Sequence, residues 1–143
     1  MQIDHIGIVV RTLTKGIEHW QKVFGYAQLT GIVVNPRQKV KVVFLHKKNS
    51  LIVKLIEPSD RYSPVFQLAM KGGGLHHICF KCREVESELE RLKQMGLRIL
   101  TSPEAGEAFD NEKVAFMYDN QGLTIELIDT DKKAKRLRRD LQS

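Results

Sequence analysis

His5 and His77 stand 72 residues apart, and whole segments around them share that offset. Asp4-His5-Ile6-Gly7-Ile8 answers to His76-His77-Ile78-Cys79-Phe80. Lys41-Val42-Val43-Phe44-Leu45 answers to Lys113-Val114-Ala115-Phe116-Met117. Leu51-Ile52-Val53-Lys54-Leu55-Ile56 answers to Leu123-Thr124-Ile125-Glu126-Leu127-Ile128. Chance likeness between amphipathic strands does not keep one offset across three separate segments, so the chain reads as a duplicated module. Whatever one half folds into, the other repeats, and equivalent residues arrive at equivalent points. Those points carry His5, His77, Lys54 and Glu126.

Periodicity gives each half the order β-α-β-β-β. Module one opens with a strand over residues 2–10. Thr14 is the expected cap of a helix reaching Phe24, with Ile17, Trp20, Val23 and Phe24 on one stripe and Gly25 as its stop. Strands are expected near 26–34, 39–46 and 50–57. In the connector, Ser63-Pro64 starts a short helix over 65–70, and Gly72-Gly73-Gly74 ends it. Module two repeats the pattern: a strand at 75–82, a helix at 85–95 with Val85, Leu89 and Leu92 inward, and strands near 98–101, 113–118 and 122–129. The acidic stretch 102–112, which contains Gly106, reads as a mobile lid. The expected fold is α+β, two tandem βαβββ modules forming a curved sheet around one cleft. They make one domain over 1–130: module one about 1–58, connector 59–74, module two about 75–130. A basic tail follows at 131–143.

The net charge of +6 invites a nucleic-acid reading, but its distribution opposes one. Residues 131–140 hold six basic residues against two aspartates, so four of the six net charges sit in the tail. No aromatic residues interleave with that run, which reads as a solvated, partly frayed helix end. No apolar run nears the roughly 18 residues of a membrane span. The acidic start Met1-Gln2-Ile3-Asp4 lacks the features of a signal peptide, which places the expected protein in the cytoplasm. Cys79 and Cys82 lie three apart on an expected strand, so their sulfurs point to opposite faces and are expected to be free thiols.

Alternation on the strands sets which polar groups share a face. His5 goes with Ile3 and Gly7, His77 with Leu75 and Cys79, Glu126 with Thr124 and Ile128, Lys54 with Ile52 and Ile56. An ionisable group among apolar neighbours needs a partner or a solvated cleft. Two imidazoles and a carboxylate meeting in one cleft suit a divalent cation such as zinc, cobalt, manganese or iron.

Five segments, spread over about residues 1–130, carry a resemblance: Ile3-Asp4-His5-Ile6-Gly7-Ile8-Val9-Val10, Gln38-Lys39-Val40-Lys41-Val42-Val43-Phe44-Leu45, Leu55-Ile56-Glu57-Pro58, Gly73-Gly74-Leu75-His76-His77-Ile78 and Thr124-Ile125-Glu126-Leu127. In this order they resemble the vicinal oxygen chelate (glyoxalase/bleomycin-resistance/dioxygenase) superfamily, and within it most closely the methylmalonyl-CoA epimerases. The resemblance implies paired βαβββ modules around one divalent metal ion (cobalt, manganese, nickel or zinc), with His5, His77 and Glu126 as ligands. It implies an isomerase or lyase that removes a proton next to a carbonyl or thioester, with Glu126 and Lys54 as catalytic candidates. Gln38 and Lys41 fall on the strand that would face substrate, an acyl-CoA or other carbonyl compound. A homodimer is implied as well. His76 would be a neighbour of the ligand, turned to the opposite face. Two alternatives stay open on the same fold: a non-catalytic small-molecule binding protein, of the resistance or sequestration kind, and an extradiol-type dioxygenase.

Lys54 departs from the family pattern, because it stands where a Glu or Gln ligand is expected. An ammonium has no lone pair for a metal and repels a nearby cation. Three readings follow. Lys54 swings aside and three ligands hold the metal; Lys54 replaces the metal and pairs with Glu126; or the chemistry is lost and the cleft only binds. A register shift turning Lys54 to solvent is the plain structural alternative.

Overall fold

The computed structural model describes residues 1–137. In chain order the elements are β1 (Gln2–Val9), α1 (Leu13–Phe24), β2 (Ala27–Gln28), β3 (Val33–Asn35), β4 (Val40–His46), β5 (Ile52–Pro58), α2 (Phe66–Met70), β6 (Gly74–Lys81), α3 (Val85–Gln94), β7 (Arg98–Gly106), a 3-10 turn (Glu107–Phe109), β8 (Glu112–Asp119) and β9 (Leu123–Ile128). The strands make one sheet in the order β2-β4-β5-β1-β6-β9-β8-β7, with β3 also on β4. This is the α+β architecture that the repeat calls for.

The pairing carries the duplication. β1 runs parallel to β5, with Gly7 beside Lys54, and β6 runs parallel to β9, with Cys79 beside Glu126. Both pairs obey the 72-residue offset. The halves join where β1 and β6 pair antiparallel, so the modules meet within one chain. Edge groups that each half would leave open are thereby paired.

The sheet has two apolar faces. On one, Leu13, Ile17 and Trp20 of α1 pack on Val43, Leu45, Val53 and Leu55. At the equivalent place Val85, Leu89 and Leu92 of α3 pack on Ala115, Met117, Ile125 and Leu127. Each fully buried aliphatic side chain contributes about 1.5–3 kcal/mol, which suffices to dock two short helices. The other face holds Val42, Phe44, Ile56, Cys79, Phe109, Val114 and Ile128, and the polar residues of interest rise from it. Cys79 lies in that cluster while Cys82 borders the α3 side, and both thiols are free. Among the described residues no helix is long and apolar enough to cross a membrane.

Several expectations are corrected. The cap of α1 is Thr12, whose hydroxyl accepts from the Lys15 amide at 3.4 Å, and Thr14 lies inside the helix. The strand expected over 26–34 is broken at Thr30, because its Oγ1 accepts the Phe44 amide at 3.1 Å in place of a ladder carbonyl. The stretch 102–112 is not an open loop. β7 continues through two register shifts to Gly106, and the 3-10 turn buries Ala108 and Phe109. Those shifts break the alternation by which a strand is recognised in sequence. The tail is not a solvated helix end over 131–137: Lys133 and Ala134 are buried, and the Gly31 amide donates to the Lys135 carbonyl at 2.9 Å. Residues 138–143 of that tail lie outside the described residues.

Candidate metal and active site

The four strands at the middle of the sheet each bring one group to the concave face. β1 brings His5, β6 His77, β9 Glu126 and β5 Lys54, none of them more than 7% exposed. His5 Nε2 lies 3.0 Å and His77 Nε2 3.1 Å from Glu126 Oε1, and the two Nε2 atoms are 3.4 Å apart. Lys54 Nζ lies 3.6 Å from the other carboxylate oxygen, Oε2. The register keeps Lys54 inward, which rules out the shift toward solvent. It has not swung clear of Glu126 either.

Each imidazole is fixed in a related way. His5 Nδ1 is 2.7 Å from Asp4 Oδ2, and its ring meets Phe44 edge-on at 5.1 Å. His77 Nδ1 is 2.8 Å from His76 Nδ1, and its ring meets Phe116 edge-on at 5.8 Å. Phe44 and Phe116 are equivalents under the repeat, and each passes its amide to a threonine hydroxyl, Thr30 or Thr101. Beneath His77 lies Gly7. A Cβ there would come within 2.2 Å of the imidazole Cε1, so only glycine leaves the ring its place.

The charges are strongly coupled. Burial works against an ionised Glu126, but the Lys54 ammonium and both imidazoles outweigh it and hold the carboxyl well below the usual range. Burial pushes the His77 imidazole down to about 4 although Glu126 opposes the shift. Burial and Lys54 lower His76 too. Burial, then Glu126 and Asp4, raise the Cys79 thiol well above its ordinary value, so it stays a protonated neighbour.

This donor set fits a divalent ion. In the tautomer that donates through Nδ1, from His5 to Asp4 and from His77 to His76, each imidazole keeps a lone pair on Nε2. Both lone pairs then face Glu126 Oε1, a buried oxygen with no hydrogen-bond partner. A proton on either Nε2 turns that contact into an attraction and holds Glu126 ionised; with both Nε2 bare, the three donors repel one another unless a metal ion lies among them. His5, His77 and Glu126 offer atoms all within 4.8 Å of one another, and ligands of one ion at roughly 2.1 Å sit roughly 3.0–3.4 Å apart.

A cleft of about 630 Å³, partly open to solvent, lies over the triad. Val42, Ile56, Phe109 and Phe116 give it apolar walls, while Gln38 and Asn35 are polar groups along it. Gln38 lines the cleft, but from the turn before β4 and not from a strand. Lys41 does not line it: Val40 and Val42 face the cleft, so Lys41 points outward and lies 3.8 Å from Glu57 Oε2. His76 lines the cleft beside His77 and is not turned to the far face. Phe109 and Glu107, which the lid reading passed over, are part of the wall. Phe109 is 1% exposed and stacks on His5 at 6.1 Å. Truncation to alanine is therefore expected to cost about 3–5 kcal/mol, read as a lowered midpoint in urea unfolding. A loss below about 1 kcal/mol rejects the wall role.

Known proteins share this fold. A family model described as the Glyoxalase/Bleomycin resistance protein/Dioxygenase superfamily matches residues 4–116. The uncharacterized protein YqjC of Bacillus subtilis is 34% identical over 88% of this chain and 90% of its own length. The mitochondrial methylmalonyl-CoA epimerase of Homo sapiens is 31% identical over 88% of this chain and 72% of its own. A Streptomyces coelicolor methylmalonyl-CoA epimerase in complex with 2-nitronate-propionyl-CoA superposes with a TM-score of 0.80 at 27% identity, covering 92% of this chain and 98% of that one.

Proposed function

The chain belongs to the Glyoxalase/Bleomycin resistance protein/Dioxygenase superfamily, and from that premise we propose that it is an epimerase-like isomerase acting on the carbon next to a thioester carbonyl. The substrate is an acyl-CoA of the methylmalonyl class, by likeness to the named relatives. His5, His77 and Glu126 hold one divalent ion. The observation that carries the reading is the Glu126 Oε1 atom, buried and without a hydrogen bond, faced by two imidazole nitrogens.

A divalent ion bound there supplies Lewis-acid stabilisation of an enolate oxygen. The side chains do the rest. The apolar walls seat the acyl group and exclude water. Glu126, kept ionised by its neighbours, takes the proton from the α-carbon; the C–H electron pair moves toward the carbonyl and leaves an enolate. A proton from solvent at the open side of the cleft then adds to the opposite face and reforms the C–H bond with inverted configuration, and Glu126 releases the proton it took to solvent. Lys54 adds a fixed positive charge beside the developing oxyanion, a form of stabilisation that needs no reorganisation during the reaction. His5, His77 and Glu126 would hold the ion, while Lys54 keeps its own contact with Glu126 Oε2 at 3.6 Å. The partner is a small molecule, and a homodimer in solution belongs to the same proposal.

Solvent deuterium tests the reading. Methylmalonyl-CoA held with metal-loaded protein in D2O is expected to gain deuterium at the α-carbon, seen by mass spectrometry. Absence of exchange with methylmalonyl-, ethylmalonyl- and propionyl-CoA rejects it. The Lys54→Gln variant loses a repelling charge and is expected to hold cobalt or manganese roughly tenfold tighter or more, with slower exchange. A second reading is favoured by one feature: Lys54 lowers the proton affinity of the very carboxylate that must act as base. A non-catalytic acyl-CoA binding protein would show saturable binding in calorimetry and no exchange.

A further inference from the structure

The C-terminal segment beyond β9 holds the two modules together from outside the sheet. Its Ala134 amide donates to the Ala108 carbonyl of module two at 2.9 Å. Its Lys135 carbonyl accepts from Gly31 and its Leu137 amide donates to Leu29, both at 2.9 Å and both in module one, where Thr30 also bridges Arg136. This clasp lies past residue 116, where the family match ends. It delivers one charged group inward. The Lys133 side chain is 2% exposed, and its Nζ lies 3.2 Å from Asp4 Oδ2 and 3.3 Å from Asp4 Oδ1. The same ammonium rests over the rings of Phe44 and Phe109, at 5.3 and 5.6 Å. Asp4 Oδ2 is the atom that faces His5 Nδ1 at 2.7 Å.

We propose that Lys133 is a positioning residue: it holds the Asp4 carboxylate on His5 Nδ1, so that His5 presents its bare Nε2 to Glu126 and His77. The chain Lys133–Asp4–His5 is buried along its length. An imidazole that ligates a metal commonly donates its other N–H to a carboxylate, and that outer partner fixes tautomer and ring orientation. Here the carboxylate is itself held, by a group that only the clasp brings. With Lys133 gone, Asp4 loses the one ammonium in direct contact with it among the described residues, Lys81 acting on it only through space, and is free to turn from His5.

Nitrogen-15 spectra of the imidazoles in the full-length, metal-free protein read the tautomer directly. Wild type is expected to show His5 protonated at Nδ1; Lys133→Met is expected to show a mixture of tautomers, and Lys133→Arg to restore the wild-type signal. Competition with a chelator is expected to give a cobalt affinity about tenfold weaker for Lys133→Met. Lys135→Ala, which loses a clasp contact to the Ile32 carbonyl but not Asp4, is the control and is expected to leave both readouts unchanged. An unchanged His5 tautomer in Lys133→Met overturns the proposal. Equal disturbance by Lys135→Ala overturns it too, by reducing Lys133 to part of a structural strap. The affinity arm rests on the proposed metal site. If wild type binds no cobalt, the metal reading fails while the tautomer arm still decides the role of Lys133.

Discussion

Glu126→Gln is expected to remove bound metal and proton exchange together. The carboxylate is the negative member of a buried cluster that otherwise holds two imidazoles and the Lys54 ammonium. An amide of the same shape offers a neutral oxygen, which neither balances a divalent ion nor accepts a proton from carbon. The substitution also strands Lys54, which is 7% exposed and has no other carboxylate paired with it among the described residues. Breaking a buried pair by removing one partner costs about 3–5 kcal/mol, so the variant is expected to unfold at a lower temperature as well. Metal analysis after desalting, deuterium exchange and thermal unfolding separate these effects. A variant that keeps one equivalent of metal would falsify the ligand role, whatever its stability. The double variant Glu126→Gln, Lys54→Met is expected to regain much of the lost stability and none of the metal, because it removes the stranded charge without restoring the ligand.

Gly7→Ala is expected to displace His77 without touching a titratable group. The added methyl would sit 2.2 Å from Cε1 and 2.5 Å from both ring nitrogens, which no real contact tolerates. The ring has little room to yield, since Phe116 and His76 pack against it. Overpacking of this kind costs about 1–3 kcal/mol. The larger effect falls on the site, because a small shift of Nε2 takes it out of line with Glu126. Metal affinity is expected to fall at least about tenfold, and exchange with it. Gly31→Ala is the matched control, because its nearest neighbour would lie at an ordinary 3.5 Å. If both variants bind cobalt like wild type, Gly7 does not set the place of His77.

The sequence offset led to the sheet and the four polar positions because a strand period of two, repeated at one spacing, leaves only one register in which like meets like. What it did not reach depends on breaks in that period. Phe109 and Glu107 sit after two register shifts, in an acidic stretch with no alternation, so composition pointed to a loop. Phe109 is an aromatic within that acidic run, and this signal could have marked it as buried. Strict alternation assigns His76 to the far side, but the β1–β6 register shifts between Gly7–His77 and Ile8–Leu75, and His76 is the extra residue of that irregularity. Lys41 was placed by resemblance, while the burial of Val40 and Val42 decides its direction. Lys133 lay in a run of charges, where nothing local distinguishes a residue buried against Asp4 from its solvated neighbours. Long-range partners of that kind become visible only once the chain has closed.

The antiparallel seam between β1 and β6 has a further consequence for ancestry. Each half closes its opening strand against its own last strand, and so presents the same bare edge to the other. Two copies of the second half, meeting across that seam, would face each other with two imidazoles and two carboxylates. Two copies of the first would bring two imidazoles and two ammonium groups. Only the former assembly can hold a divalent ion. With both halves in one chain the first need not supply a carboxylate, and here it sets the buried Lys54 ammonium into the floor of the site instead.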